Sequence, residues 1–308
     1  MINLMSAIFC ALPERLALLL GRMMGRFWYY ILPIRMNVAK KNIERCLGKD
    51  LPPAEIKTLL REVCENQAMF ISEGLRLPAM TPQLALEKMN ERPGWHHLEE
   101  AVARGKGVLF VTAHMGSYEL LTGCLPLAGI PTYVVYRDIS MKSGSEFWMR
   151  VRTGMGLRPL PPRKARAQII EALGSGGVVI LASDQHMPPH RGIVCEFLGQ
   201  LASTMTATAR FALDTNATIV LGHTFRNPND PAKSTLSIEP IFELEAPHED
   251  RDANIRHNTQ RINDIMERWV RENPNQWLWH HRRFKVQDAP DGWDIPAHLT
   301  HLIPVRAS

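Results

Sequence analysis

Val108-Leu109-Phe110-Val111-Thr112-Ala113-His114-Met115-Gly116-Ser117-Tyr118-Glu119 is the stretch on which the fold is decided. Its first four residues are apolar without alternation, which fits a strand covered on both faces rather than a half-exposed one. The polarity then changes at once. Gly116 gives the backbone freedom to turn, and Ser117 stands where a helix beginning at Tyr118 would be capped. The same texture repeats outward along the chain. Tyr133-Val134-Val135-Tyr136, Val178-Val179-Ile180-Leu181 and Ile219-Val220-Leu221 are further apolar runs, separated by helix-length spacers. This pattern predicts an α/β fold: a mostly parallel central sheet covered by helices. Residues 234–241 alternate in polarity and are expected to add an antiparallel edge strand. Residues 36–92 read as helical throughout. In that region Pro52-Pro53 opens a long amphipathic helix that Pro78 ends. Residues 252–271 read as a last long helix.

The balance of the chain agrees. Hydrophobic residues are 45% and charged residues 22% of 308, so a sizeable core is available and disorder is excluded. A net charge of +5 is modest, so where the cations lie matters more than their number. The five cysteines show no C-x-x-C pair, which speaks against both a zinc site and a disulfide framework. No G-x-S-x-G, H-E-x-x-H, P-loop or G-x-G-x-x-G is present.

The N-terminus stands apart from the rest. Residues 2–13 are uncharged, but Glu14 and Arg15 interrupt the run before it is long enough to span a bilayer. On a helix, Arg15, Arg22 and Arg26 share a stripe beside a broad face of Leu16, Leu20, Met23, Phe27 and Ile31. Trp28, Tyr29 and Tyr30 follow. Residues 1–35 are therefore expected to form a helical membrane-interface or anchoring region, with residues 36–308 as a single α/β domain. The alternative is an amphipathic helix packed on the body of the protein.

In folds of this class ligands gather beyond the carboxyl ends of the strands. The polar residues there are His114, Arg137, Asp184-Gln185-His186 and His223. His114 and Glu119 are five apart and do not share a helical face. They converge only if His114 sits on a turn before the helix. A carboxylate against one imidazole nitrogen would leave the other to take a proton from an alcohol. The plain reading is a hydrogen-bonded strand-end histidine and a solvated glutamate. Asp184 could pair with Arg137, support the histidine, or cap the next turn. A second group is basic: Arg150, Arg152, Arg158, Arg163, Lys164 and Arg166, with no acid between Arg150 and Arg166. It is either a phosphate- or carrier-gripping surface or a solvated cationic face. Trp277 and Trp279, followed by His280, His281, Arg282, Arg283 and Lys285, suggest an interfacial or phosphate-binding end. Of Met115, Met141, Met149 and Met155, core or channel lining is the expected role.

Beside these readings stands a resemblance. His114-Met115-Gly116-Ser117-Tyr118-Glu119 resembles the H-x-x-x-x-D/E motif of glycerolipid acyltransferases, and more narrowly that of the late acyltransferases of lipid A biosynthesis, the lauroyl/myristoyl family. Val135-Tyr136-Arg137, Ser183-Asp184-Gln185, Phe197-Leu198-Gly199 with Ala202-Ser203-Thr204, and Asn273-Pro274-Asn275-Gln276-Trp277-Leu278-Trp279 with His281-Arg282-Arg283-Phe284-Lys285 match further blocks in order. The chain departs from the pattern at Tyr118 (usually Trp), at Leu198 (usually Phe) and in Thr204-Met205-Thr206-Ala207, which lacks a glycine. The resemblance implies a membrane enzyme of the cytoplasmic face of a bacterial inner membrane. Its donor would be an acyl-carrier-protein thioester and its acceptor a hydroxyl of a phosphorylated lipid A precursor, with no cofactor, metal or nucleic acid. His114 would be the base and Glu119 its partner. Arg137, Asp184, Gln185, Arg163, Lys164 and Arg166 are the candidate substrate-binding residues. The same scaffold also fits a lysophospholipid or glycolipid acceptor, an aminoacyl group, or an inactive lipid-binding protein.

Overall fold

A computed structural model describes residues 1–127, 129–136, 142–161 and 165–304. Arg137, Arg163, Lys164 and Met141 lie outside the described residues. The N-terminal part is helical: α1 (Ile2–Ala11), α2 (Glu14–Tyr30), α3 (Met36–Leu47), α4 (Pro53–Arg76), α5 (Pro82–Lys88) and α6 (Trp95–Ala103). The two prolines at the start of α4 leave no amide unpaired, because first-turn amides have no partner in a helix anyway. Strands and helices then interleave: β1 (Val108–Thr112), α7 (Tyr118–Leu127), β2 (Thr132–Val135), α8 (Lys142–Gly154), β3 (Arg158–Leu160), α9 (Ala165–Gly174) and β4 (Val178–Ala182). Next come β5 (Gly192–Phe197), β6 (Gln200–Met205), α10 (Ala207–Thr215), β7 (Thr218–Arg226), β8 (Ser234–Ile238), α11 (Arg251–Glu272) and α12 (Lys285–Asp288).

Six strands form the main sheet in the order β3-β2-β4-β1-β7-β8. Every pairing is parallel except β7 with β8, so the alternating segment is indeed an antiparallel edge. In β1, Leu109 and Val111 enter one apolar cluster, shared with α9, α10 and α11. Val108 and Phe110 enter another, shared with α6, α7 and α8. Successive side chains point to opposite faces. Covering both faces is therefore what required the uninterrupted apolar run. β3 and the separate β5–β6 hairpin were not foreseen.

The N-terminal hairpin of helices lies against α4 with its small side and presents its large side outward. A Cβ on Gly21 or Gly25 would strike Ser72 or the backbone at Glu65, so these positions set how closely α2 approaches. Arg22 and Arg26 turn inward onto the buried Glu65, at 2.6 and 2.8 Å. Leu16, Met23, Phe27 and Ile31 are exposed, Phe27 by 52%. Among the described residues most large exposed apolar side chains belong to this N-terminal stretch. No helix among them is long and apolar enough to cross a membrane. Trp28 is turned inward and stacks on His280, 4.4 Å between centroids.

Candidate active site

The site is built by sheet register. Thr112 of β1 pairs with Ala182 of the neighbouring β4. Two residues beyond each strand end therefore come level, and these are His114 and Asp184. Asp184, 2% exposed, takes three hydrogen bonds. Its Oδ1 lies 2.7 Å from His114 Nδ1, and its Oδ2 accepts the His114 backbone amide at 2.9 Å and the Trp277 indole N–H at 2.9 Å. Burial opposes the charge on Asp184, but His114 and these donors outweigh it and hold the carboxyl well below the usual range. Burial likewise opposes the imidazolium of His114, yet the Asp184 carboxylate pushes its pKa above the ordinary 6.5. With Nδ1–H committed to a carboxylate, Nε2 holds the lone pair. It lies 3.3 Å from Gln185 Nε2.

Glu119 is not where the sequence put it. Its carboxylate is gripped by Arg152, at 2.5 Å from Nη2 and 3.1 Å from Nε, and Asp184, just beyond β4, takes the place against His114 that was expected for the glutamate. The cause is geometric. Glu119 lies in the first turn of α7, whereas the His114 ring leaves a turn that faces the end of β4. Glu119 still acts on His114 through its charge. Tyr118 meets the His114 ring edge-on at 5.0 Å and is itself stacked on Phe70 at 4.3 Å. Ser117 sits at the helix start, where its carbonyl accepts from Leu120 and Leu121, but its hydroxyl donates to Glu73 at 2.7 Å.

The basic group of the sequence is dispersed. Arg152 is drawn to Glu119, Arg150 donates to Asn3, Arg158 to the Tyr133 hydroxyl and Arg166 to Asp214. The C-terminal aromatic and basic segment is mostly core, with only Arg282 and Lys285 of its cations exposed. Trp277, Trp279 and Arg283 are fully buried, and Met115 bridges to Trp277. Arg283 donates to the carbonyls of Gln185 and Ser203 and so pins the loop after β4, while burial pulls its pKa down to about 10. His281, pushed down to about 4 by burial, accepts the His186 amide. His223 does not join the site. It is buried against Trp269, and burial lowers it to about 4. Of the methionines, Met115 and Met155 are core and Met149 lines the cavity described next.

His114 opens onto a cavity of about 520 Å³. Tyr118, Glu119, Arg152 and Gln185 form its polar end, and Val135, Ile169, Ile180, Leu181, Met205 and Phe211 are among its apolar walls. A base at the polar end of a cavity with apolar walls suits a group with a reactive polar head and a long apolar tail.

The sequence model of one family, bacterial lipid A biosynthesis acyltransferase, matches residues 1–286. The chain belongs to that family. This acyltransferase is 25% identical over 284 residues to the lipid A biosynthesis lauroyltransferase of Escherichia coli (strain K12), covering 91% of its own length and 88% of the relative's. It is equally similar, over 286 residues, to the palmitoleoyltransferase of the same organism. Over 190 residues, 60% of the chain and 59% of the relative, it is 25% identical to a phosphatidylinositol mannoside acyltransferase of Mycobacterium tuberculosis (strain CDC 1551 / Oshkosh). Arg152 and Trp277 are the parts of the site that the sequence did not assign. Trp277 lay within a block of the family resemblance, and Arg152 carried no mark that set it apart from its basic neighbours.

Proposed function

We propose that the protein moves a fatty acyl chain from an acyl-carrier-protein thioester to a hydroxyl of a lipid A precursor or related phosphorylated glycolipid. The observation that carries this reading is the His114–Asp184 pair at the mouth of the apolar cavity. Nε2 of His114 takes the proton of the acceptor hydroxyl as its oxygen attacks the thioester carbonyl. The tetrahedral oxyanion faces the start of α7, where Tyr118 forms the wall, Arg152 neutralises Glu119 and the helix N-terminus favours negative charge. Collapse expels the carrier thiolate, which recovers the proton from His114. The products are an ester and a free thiol. The acyl tail lies along the apolar walls. Arg152, held by Glu119, places a cation at the polar end, where an acceptor phosphate or the oxyanion can meet it.

The outward apolar face of α1 and α2 supports a resting place in the headgroup layer, on the cytoplasmic side of a bacterial inner membrane, where carrier and lipid meet. The test is mass spectrometry of candidate glycolipids incubated with acyl carrier protein and the enzyme. One added acyl unit is expected, and His114→Ala should reduce the rate by about 10²–10⁴-fold. Equal transfer by that variant, or none by the unaltered protein, would refute the proposal.

A further inference from the structure

The turn that carries His114 lies beyond the strand ladder, and β7 reaches it through a side chain, Thr224 Oγ1 donating to the Met115 carbonyl at 3.2 Å. The β1 ladder ends at Thr112. A three-residue turn closes from Met115 N–H to the Ala113 carbonyl, and Gly116 follows at φ +55°. Its position therefore depends on bonds from elsewhere. Two bear on His114 directly: its amide donates to Asp184, and its carbonyl accepts the Leu278 amide at 3.1 Å. The far side of the turn is fastened differently. Ser117 Oγ donates to Glu73 Oε2 at 2.7 Å. Glu73 is gripped by both terminal nitrogens of Arg226 at 2.7 Å each. The backbone of Arg226 is bracketed by the Gln276 side chain, at 2.6 and 3.0 Å, and the Gln276 carbonyl takes the Gly116 amide at 3.1 Å. The bonds return to the turn where they began. All four of Ser117, Glu73, Arg226 and Gln276 are buried, and none lines the cavity beside His114.

A buried ion pair adds little net stability over apolar residues of the same size. What it supplies is fixed direction. We infer that Glu73 is a positioning residue: with Arg226 and Gln276 it closes a ring of hydrogen bonds that fixes the turn bearing His114 against Asp184. The inference rests on the acyl-transfer reading only for its kinetic consequence.

Ser117→Ala opens the ring without stranding a charge, because Glu73 keeps Arg226. Two measurements on the full chain in detergent micelles decide the matter. One is the titration midpoint of His114 by imidazole NMR, which needs no substrate. The other is steady-state acyl transfer. The charged or titratable groups around the His114 imidazole are Asp184, Glu119, Arg152, Tyr118 and His281, and none of them is altered. If the turn slips from Asp184, burial of the imidazole is less opposed. The midpoint and the acid limb of kcat/KM should then fall together, while kcat drops about 10–100-fold at nearly constant KM. Glu73→Gln should move both further, but it leaves Arg226 uncompensated and buried, so Ser117→Ala is decisive. An unmoved midpoint overturns the inference whatever happens to melting temperature or kcat. If the unaltered protein transfers nothing, the acyl-transfer reading fails, and the midpoint still judges the ring.

Discussion

Replacing Asp184 by asparagine asks the sharpest question of the site. The change preserves size and removes charge, but an amide has one acceptor where the carboxylate has two. Asp184 Oδ2 receives two donors that cannot change, the His114 amide and the Trp277 indole. The asparagine oxygen must go there, since an N–H facing those donors would leave buried groups unpaired at about 1–3 kcal/mol each. Its NH₂ then faces His114 Nδ1, which can answer by giving up its proton. The hydrogen moves to Nε2, and the lone pair that would take the acceptor's proton is gone. Loss of an orienting carboxylate in this way typically lowers kcat by about 10⁴-fold, roughly 5 kcal/mol of barrier. The assay is single-turnover acyl transfer at saturating substrate, with circular dichroism to verify the fold. A parallel NMR titration should find the His114 midpoint below that of the unaltered protein. Transfer within about tenfold of normal would refute the tautomer argument and with it the place given to Asp184.

Further outcomes are expected. Because His114 must be neutral to act and its pKa lies above 6.5, kcat/KM should fall as pH drops through a midpoint above that value. A pH–rate profile with its acid limb below 6 would contradict this. Gly116→Ala should lower the melting temperature and activity together, since φ +55° costs a side chain about 1–2 kcal/mol and its Cβ would collide with the Thr224 carbonyl. Arg152→Ala strands the buried Glu119 and should destabilise by up to about 3–5 kcal/mol, less for the part of Arg152 that is exposed; denaturant unfolding reads it. Changing Leu16, Met23, Phe27 and Ile31 together to serine should release the protein from lipid vesicles in flotation without unfolding it, as these side chains face away from α4. Undiminished flotation would put the membrane contact elsewhere.

The sheet was legible because burial on two faces leaves a one-dimensional mark: Val108 to Val111 cannot be anything but covered. His114 was legible for the same reason, as the first polar ring beyond such a run. Its partner was not. Sequence spacing favours the nearby Glu119, whereas strand register, which no local pattern records, brings Asp184 level with it. Arg152 and Arg166 look alike as letters, yet one is drawn to a carboxylate at the cavity and the other lies exposed beside Asp214. The segment from Trp277 to Arg283 has a surface composition but, apart from the exposed Arg282, a largely interior address. Trp279 and Arg283 are buried there because the carbonyls of Pro274, Gln185 and Ser203 await their N–H groups, and Trp277 because Asp184 takes its indole N–H. The strand β3 begins with Arg-Pro and is too short to show a period.

The chain order of these contacts has a consequence for the protein's birth. Translation delivers the α1–α2 hairpin before His114, and His114 well before Trp277, the residue that fixes Asp184 and bridges to Met115. At about 5–20 residues per second the interval is on the order of 10–30 s. During that time a ribosome-bound chain already exposes its apolar hairpin but has no assembled base. Chains that stall or are cut before Trp277 are expected to lack the assembled His114–Asp184 pair, so acyl transfer waits for Trp277, long after α1 and α2 have left the ribosome.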